Sequence, residues 1–210
     1  MNEIADAKHF RNFSELSRHQ HRGRDFEITI RRKPGSPIAI VAPHGGGIED
    51  GTSQIARAIA GHDFNLYLFE GIRSSSNYHA LHLTSHRFDE PECLSLIKHC
   101  PFVITIHGCG GADDCVFLGG LDQELKLHLT QALKRAHLPA QTEGHRFPAI
   151  NPLNICNRGA SNKGVQLEIT HALRRDFGAV RLAATLRHTL LSLPIVKAKP
   201  AVTQHQYAGT

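Results

Sequence analysis

Short apolar runs, each ended by a glycine-rich or polar turn, set the rhythm of this chain. Ile38-Ala39-Ile40-Val41 runs into Pro43-His44-Gly45-Gly46-Gly47, and Phe102-Val103-Ile104-Thr105-Ile106 into His107-Gly108. Val165-Gln166-Leu167-Glu168-Ile169 is a third such run. Apolar runs of this length between turn residues predict buried strands. Phe26 to Ile30 alternates and predicts a half-exposed strand; Phe64 to Phe69, His79 to Thr84 and Cys115 to Leu118 predict three more. Between them the period changes. Ile55, Ala56, Ile59 and Ala60 mark the inner face of a helix that Thr52 or Ser53 can cap, and Pro91 suits the first turn of a helix running to Lys98. Leu125, Leu129 and Leu133 predict a helix over 122–137, and the apolar stretch from Ala179 to Leu193 another. Near the N-terminus, Phe10, Phe13 and Leu16 can form one face of a short helix.

Strands alternating with helices predict a single-domain, three-layer α/β sandwich around a mixed, mostly parallel sheet. The main domain is placed at 26–193, after a polar extension over 1–25 and before a disordered tail over 194–210. In such sheets ligands bind outside the strand ends. His44, Glu49 and His107 all fall there, and the glycines Gly45 to Gly47 let the first two side chains converge. Two histidines and a carboxylate, with Glu168 as a second carboxylate, are the parts of a zinc hydrolase with one open coordination position. The competing reading of the loop is an anion cradle ahead of a helix, but Glu49 would repel a phosphate there. Alternation alone leaves Glu168 on the polar face of its strand, where it can equally face solvent.

Composition narrows the picture further. No Trp is present and aromatic residues are few, which argues against a stacking platform for single-stranded nucleic acid. A net charge of +5 favours anionic partners without choosing among them. Basic residues are scattered and match no nucleic-acid motif. The five cysteines, Cys93, Cys100, Cys109, Cys115 and Cys156, form no C-x-x-C pair and suit a reducing compartment. Cys109 lies two residues from His107, but nothing in the sequence supplies the third group of a nucleophilic triad. No run reaches the roughly 18 apolar residues of a membrane span, and no signal-peptide core precedes the domain, so a cytoplasmic protein is expected.

The segments PHGGGIEDGTSQIA, TIHGC, VFLGGLD and NICNRGASNKGVQLEIT resemble the poly-γ-glutamate hydrolase family, also labelled phage-related replication proteins. The resemblance runs from about Ile38 to about Arg175. It implies a zinc carboxypeptidase-like fold, one Zn2+ per chain held by His44, Glu49 and His107, and Glu168 as the catalytic glutamate. The interval from His44 to Glu49 is longer than the His-x-x-Glu of ordinary carboxypeptidases, so the γ-glutamate hydrolases are the better guide.

A hydrolase of γ-glutamyl amides also needs cations for its substrate's carboxylates. Arg87 and Arg158 are the candidates, with Asn157 as a hydrogen-bonding partner; Arg73 and His82 are weaker ones. The loop over 139–163, rich in Pro, Asn and Gly, is expected to be a substrate-binding element. The expected activity is zinc-dependent cleavage of γ-glutamyl amide bonds in an anionic polymer or a small γ-glutamyl compound. Its rivals are a zinc amidase or deacylase of a small N-acyl amino acid and a basic nucleic-acid-binding replication accessory protein.

Overall fold

Ile38, Ile40 and Ala42 alternate with Ala39 and Val41, and the two sets bury into different layers of the protein. A strand buried on both faces needs a layer on each side, and the computed structural model, which describes residues 10–194, provides both. In chain order the elements are α1 (Phe13–Leu16), β1 (Phe26–Arg31), β2 (Ile38–Gly46), α2 (Thr52–Ala60), β3 (Asn65–Gly71) and α3 (Asn77–Leu81). They continue with α4 (Pro91–Ile97), β4 (Phe102–Cys109), β5 (Val116–Gly119), α5 (Gln123–Arg135), β6 (Ala140–Gln141), β7 (Val165–Thr170) and α6 (Asp176–Leu191). A 3-10 turn, Ile155–Asn157, precedes β7.

The sheet has the order β1-β3-β2-β4-β7-β5-β6. Its centre, β3-β2-β4-β7, is parallel, while β1 and β5 join it antiparallel. This is the three-layer α/β arrangement with a mixed sheet that the pattern predicts. Ile40, Leu68, Ile106 and Leu167 meet α2, α5 and α6 on one face, and Val41, Tyr67, Phe69 and Val103 meet α1, α4 and their loops on the other. Each fully buried Leu, Ile or Phe contributes about 1.5–3 kcal/mol, so both layers are strongly held.

Residues 10–25, expected as a polar extension, supply Phe10 and Leu16 to the second of these layers. Residues 1–9 and 195–210, most of the expected tail among them, lie outside the described residues. The strand expected over 79–84 is instead the short helix α3 followed by extended chain. The side chain of Asn77 explains it: its Oδ1 accepts from the Arg73 N–H and its Nδ2 donates to the Arg73 carbonyl, winding the segment into a turn before a strand can pair. Neither Thr52 nor Ser53 caps α2, whose N-cap is Gly51. Both hydroxyls bind the preceding loop instead: Thr52 Oγ1 donates to the carbonyls of Glu49 and His44, and Ser53 Oγ accepts from the Gly46 N–H. Among the described residues, no helix is long and apolar enough to cross a membrane.

Candidate active site

Side-chain alternation decides which residues can meet. On β4, Ile104 and Ile106 point into the α2/α5/α6 layer, so Thr105 and His107 point the other way. On β7, Val165, Leu167 and Ile169 do the same, leaving Gln166, Glu168 and Thr170 on the face of His107. On β2 the even-numbered Ile38, Ile40 and Ala42 face that helical layer, so strict alternation would send His44 there too. It does not go there. Between Ala42 and Gly45 the strand gains one residue against β3, where the partners advance only from Leu68 to Glu70. The bulge turns His44 onto the face of His107, as one extra residue must. Gly46, at φ 61°, then leaves the strand in a left-handed conformation that a side chain resists.

The turn after β2 closes on itself, with the Glu49 N–H donating to the His44 carbonyl at 2.9 Å. Both side chains therefore reach one point. His44 Nδ1 lies 3.1 Å from Glu49 Oε1 and 3.1 Å from His107 Nδ1, and His107 Nδ1 lies 3.8 Å from Glu49 Oε2. The other nitrogen of His44, Nε2, donates to the Leu83 carbonyl at 2.6 Å. Glu49 Oε2 accepts from the Gly108 N–H at 2.7 Å. All three side chains are at least nine-tenths buried. Three buried side chains whose donor atoms converge in this way could hold a cation.

Local electrostatics agree. Burial pushes the Glu49 carboxyl up, but the charge and hydrogen bond of His44, helped by His107 and the Gly108 N–H, outweigh it and hold the group at about 2. Burial lowers His44, yet Glu49 more than compensates and leaves it raised. Burial and the neighbouring His44 and His82 take His107 down to about 3, so its imidazole is neutral. The group thus combines a neutral imidazole, an ionised carboxylate and a second imidazole whose charged form that carboxylate favours, and a metal-binding His or carboxylate must likewise be free of its proton.

His82 is a third histidine here. Its ring stacks between those of His44, at 4.1 Å, and Tyr78, at 4.5 Å, and its Nε2 lies 3.8 Å from Glu49 Oε1. On distance alone, His44, Glu49 and His82 also qualify as a metal-binding group. Ring orientation favours His107, because imidazole lone pairs lie in the ring plane. The ring of His82 lies largely over that of His44, at an interplanar angle of 38°, whereas the ring of His107 stands at 69° with its Nδ1 facing His44 Nδ1.

Glu168 lies across the same cleft, of about 410 Å³. Its Oε1 accepts from Gln166 Nε2 at 2.9 Å, and Gln166 Oε1 accepts from Asn154 Nδ2 at 2.8 Å. Burial, then the charge of Glu49, raise its carboxyl to about 8, against the opposing pull of His44, Arg174 and Arg146. A carboxyl so placed is able to exchange protons near neutral pH. A larger recess of about 900 Å³ between α5 and α6 is lined by His128, Arg135 and His188 among others, but by no carboxylate or thiol.

The expected substrate-binding residues are placed elsewhere. The Asn157 amide is consumed by backbone: Oδ1 accepts from the N–H groups of Leu121 and Gly164, and Nδ2 donates to the carbonyls of Ala149 and Asn151. It ties the loop together. Arg158 Nη1 donates to the Phe88 carbonyl at 3.4 Å, and neither Arg158 nor Arg87 lines the cleft. Arg73 is paired with Asp25 at 2.6 Å. The arginine that does line the cleft is Arg146, from the loop over 139–163, and the sequence offered no signal for it beyond membership of that loop. Cys109 also lines the cleft, but burial and then Glu168 raise its thiol to about 11, so it is no ready nucleophile.

Residues 10–189 match the model of a family described as poly-gamma-glutamate hydrolase. The UPF0714 protein YndL of Bacillus subtilis (strain 168) is 34% identical over 176 residues, which are 82% of this chain and 68% of YndL. Among solved structures, a bacteriophage poly-gamma-glutamate hydrolase superposes with a TM-score of 0.81 at 30% identity, covering 86% of this chain and 95% of that one. The zinc-free apo form of YndL superposes with a TM-score of 0.80 at 29% identity, covering 87% and 97%.

Proposed function

This chain is a hydrolase and belongs to the poly-gamma-glutamate hydrolase family, and we propose that it cleaves γ-glutamyl amide bonds in poly-γ-glutamate with one zinc ion. The observation that carries the proposal is the convergence of His44 Nδ1, His107 Nδ1 and the Glu49 carboxylate opposite the buried carboxyl of Glu168.

In this reading His44, Glu49 and His107 hold the metal, two nitrogens and one carboxylate being a donor set suited to zinc. The ion supplies a Lewis acid that acidifies water and polarises a carbonyl. The Leu83 carbonyl fixes His44 by its Nε2–H and so presents Nδ1 inward. The Gly108 N–H does the same for Glu49. Glu168 takes a proton from the attacking water and returns it to the departing amine nitrogen, so that the amide is replaced by a carboxylate and a free amine. Gln166, backed by Asn154, holds Glu168 Oε1 in place for this transfer.

The test is the chain length of poly-γ-glutamate, by size-exclusion chromatography, after incubation with the protein, with and without a chelator. Shortening that the chelator abolishes and added zinc restores is the expected result. An unchanged polymer in the presence of zinc-loaded protein sinks the polymer as substrate. Cleavage of small N-acyl amino acids under the same conditions would then point to the amidase reading.

A further inference from the structure

Arg146 lines the cleft with Glu168 because its loop is anchored on β5 and the turn that follows it. Phe117 on β5 is the register partner of Glu168 on β7, so the two side chains share a face. His145 and Phe147 pack their rings on Phe117, with centroids 5.4 and 5.7 Å away. The loop backbone is pinned at the two glycines that end β5 and begin the next turn. The Gly120 N–H donates to the Pro148 carbonyl at 2.9 Å, and any Cβ on Gly119 would collide with the carbonyl oxygen of Phe147. Arg146 is carried between these anchors, its guanidinium 4.9 Å over the Phe147 ring.

What this guanidinium lacks is a carboxylate. Among the described residues Arg146 forms no ion pair, and it stands beyond ion-pair distance from Glu168 although both line the cleft. The other arginine near Glu168 is tied to backbone at two of its three nitrogens and does not line the cleft: Arg174 donates from Nε to the Asp50 carbonyl at 2.7 Å, and from Nη1 to the carbonyls of Cys109, at 3.0 Å, and Ile169. An anion entering the cleft thus meets a guanidinium held over Phe147, on the same cleft as the proposed general base and with no carboxylate partner of its own.

We propose that Arg146 recognises the free carboxylate of the glutamyl unit next to the scissile amide and makes the enzyme selective for acidic over neutral chains. The inference rests on the γ-glutamyl reading above for the identity of the anion. The planar guanidinium accommodates a carboxylate with two parallel hydrogen bonds, whereas an ester or amide at that position offers no charge and leaves the donors half used.

Binding, measured separately from cleavage, tests it. The probes are a short poly-γ-glutamate oligomer and its α-methyl ester, titrated by calorimetry into zinc-loaded protein carrying Glu168→Gln, so that neither is consumed. Arg146→Ala is expected to weaken the acidic oligomer about 10–100-fold and leave the ester unchanged, with Arg146→Lys recovering part of the loss. Gly119→Ala, which dislodges the loop, is expected to reproduce the loss with the arginine still present. The proposal is overturned if Arg146→Ala shifts the acidic oligomer less than about twofold, if it weakens both probes equally, or if neither probe binds with Arg146 intact. The two claims fail separately. Carboxylate-selective binding without cleavage by the Glu168-intact protein removes the hydrolytic reading and keeps this one; cleavage indifferent to Arg146→Ala does the reverse.

Discussion

His107 on β4 and Glu168 on β7 are register partners on adjacent parallel strands, at the ends from which the cleft opens. Two rigid strands thus set the separation between a proposed metal ligand and the proposed base, which fixes the geometry better than loops can. Glu168→Gln keeps the shape and removes the ability to take a proton. Its kcat is expected to fall about 10²–10⁴-fold, with zinc content by atomic absorption unchanged. Loss of zinc along with activity would make Glu168 a ligand rather than the base.

Behind Glu168 stands Gln166, whose amide donates to Oε1 and is itself held by Asn154. Gln166→Leu removes that donor. Activity is expected to drop about 10–100-fold, the range for groups that orient a site from behind. A donor to a carboxylate favours its ionised form, so removing it raises the pKa of Glu168. The acidic limb of the pH–rate profile should therefore move to higher pH. A Gln166→Leu enzyme that is slower with an unmoved limb would show that the residue serves packing alone.

The ligand set can be decided between His107 and His82. A metal that binds the folded chain stabilises it by about 2.7 kcal/mol at a concentration of 100 Kd, so a chelator should lower the melting temperature of the unmodified protein. His107→Ala is expected to melt at the same temperature with and without chelator. His82→Ala, which removes a ring stacked on a ligand, should keep most of the chelator response. The opposite pair of results would transfer the third position to His82.

Most of this site could be read from alternation. Once Ile104 and Ile106 on one strand, and Leu167 and Ile169 on the other, are assigned to the core, His107 and Glu168 follow onto the opposite face without further information. His44 could not be placed that way, since its numbering assigns it to the wrong face and only the one-residue bulge before Gly45 corrects it. A bulge is a property of pairing between strands, invisible in either alone. The loop over 139–163 was legible as a substrate element but not residue by residue. Asn157 and Arg158 look like ligand-binding groups in sequence, yet the partners that occupy them, Leu121, Gly164 and Phe88, are distant or belong to other elements. Arg146 emerges only after those commitments are known. The short segment at Asn77 shows the same limit on a smaller scale. The strand expected just after it, over 79–84, gives way to a helix because the Asn77 side chain hydrogen-bonds the Arg73 backbone.

Acid stability should depend on a carboxylate far from this chemistry. Asp25 is nearly buried between Arg24, at 2.6 Å, and Arg73, also at 2.6 Å, and accepts from the His21 N–H at 2.9 Å. The hydrogen bond from Arg24 leads, the His21 N–H adds to it, and together they outweigh burial and hold the carboxyl at about 2. In the unfolded chain an aspartate titrates near ~3.9. Because the folded value is the lower one, the stabilising contribution is complete above about pH 4 and drains away as the pH falls through about 2. Asp25→Asn should therefore be less stable than the unmodified protein at neutral pH, with a stability that changes less between pH 4 and 2. Urea melts at pH 7, 4 and 2.5 measure both. If the two proteins lost stability in parallel down to pH 2.5, the ring of hydrogen bonds around Asp25 would not be what ties the N-terminal segment to the strand end at Arg73.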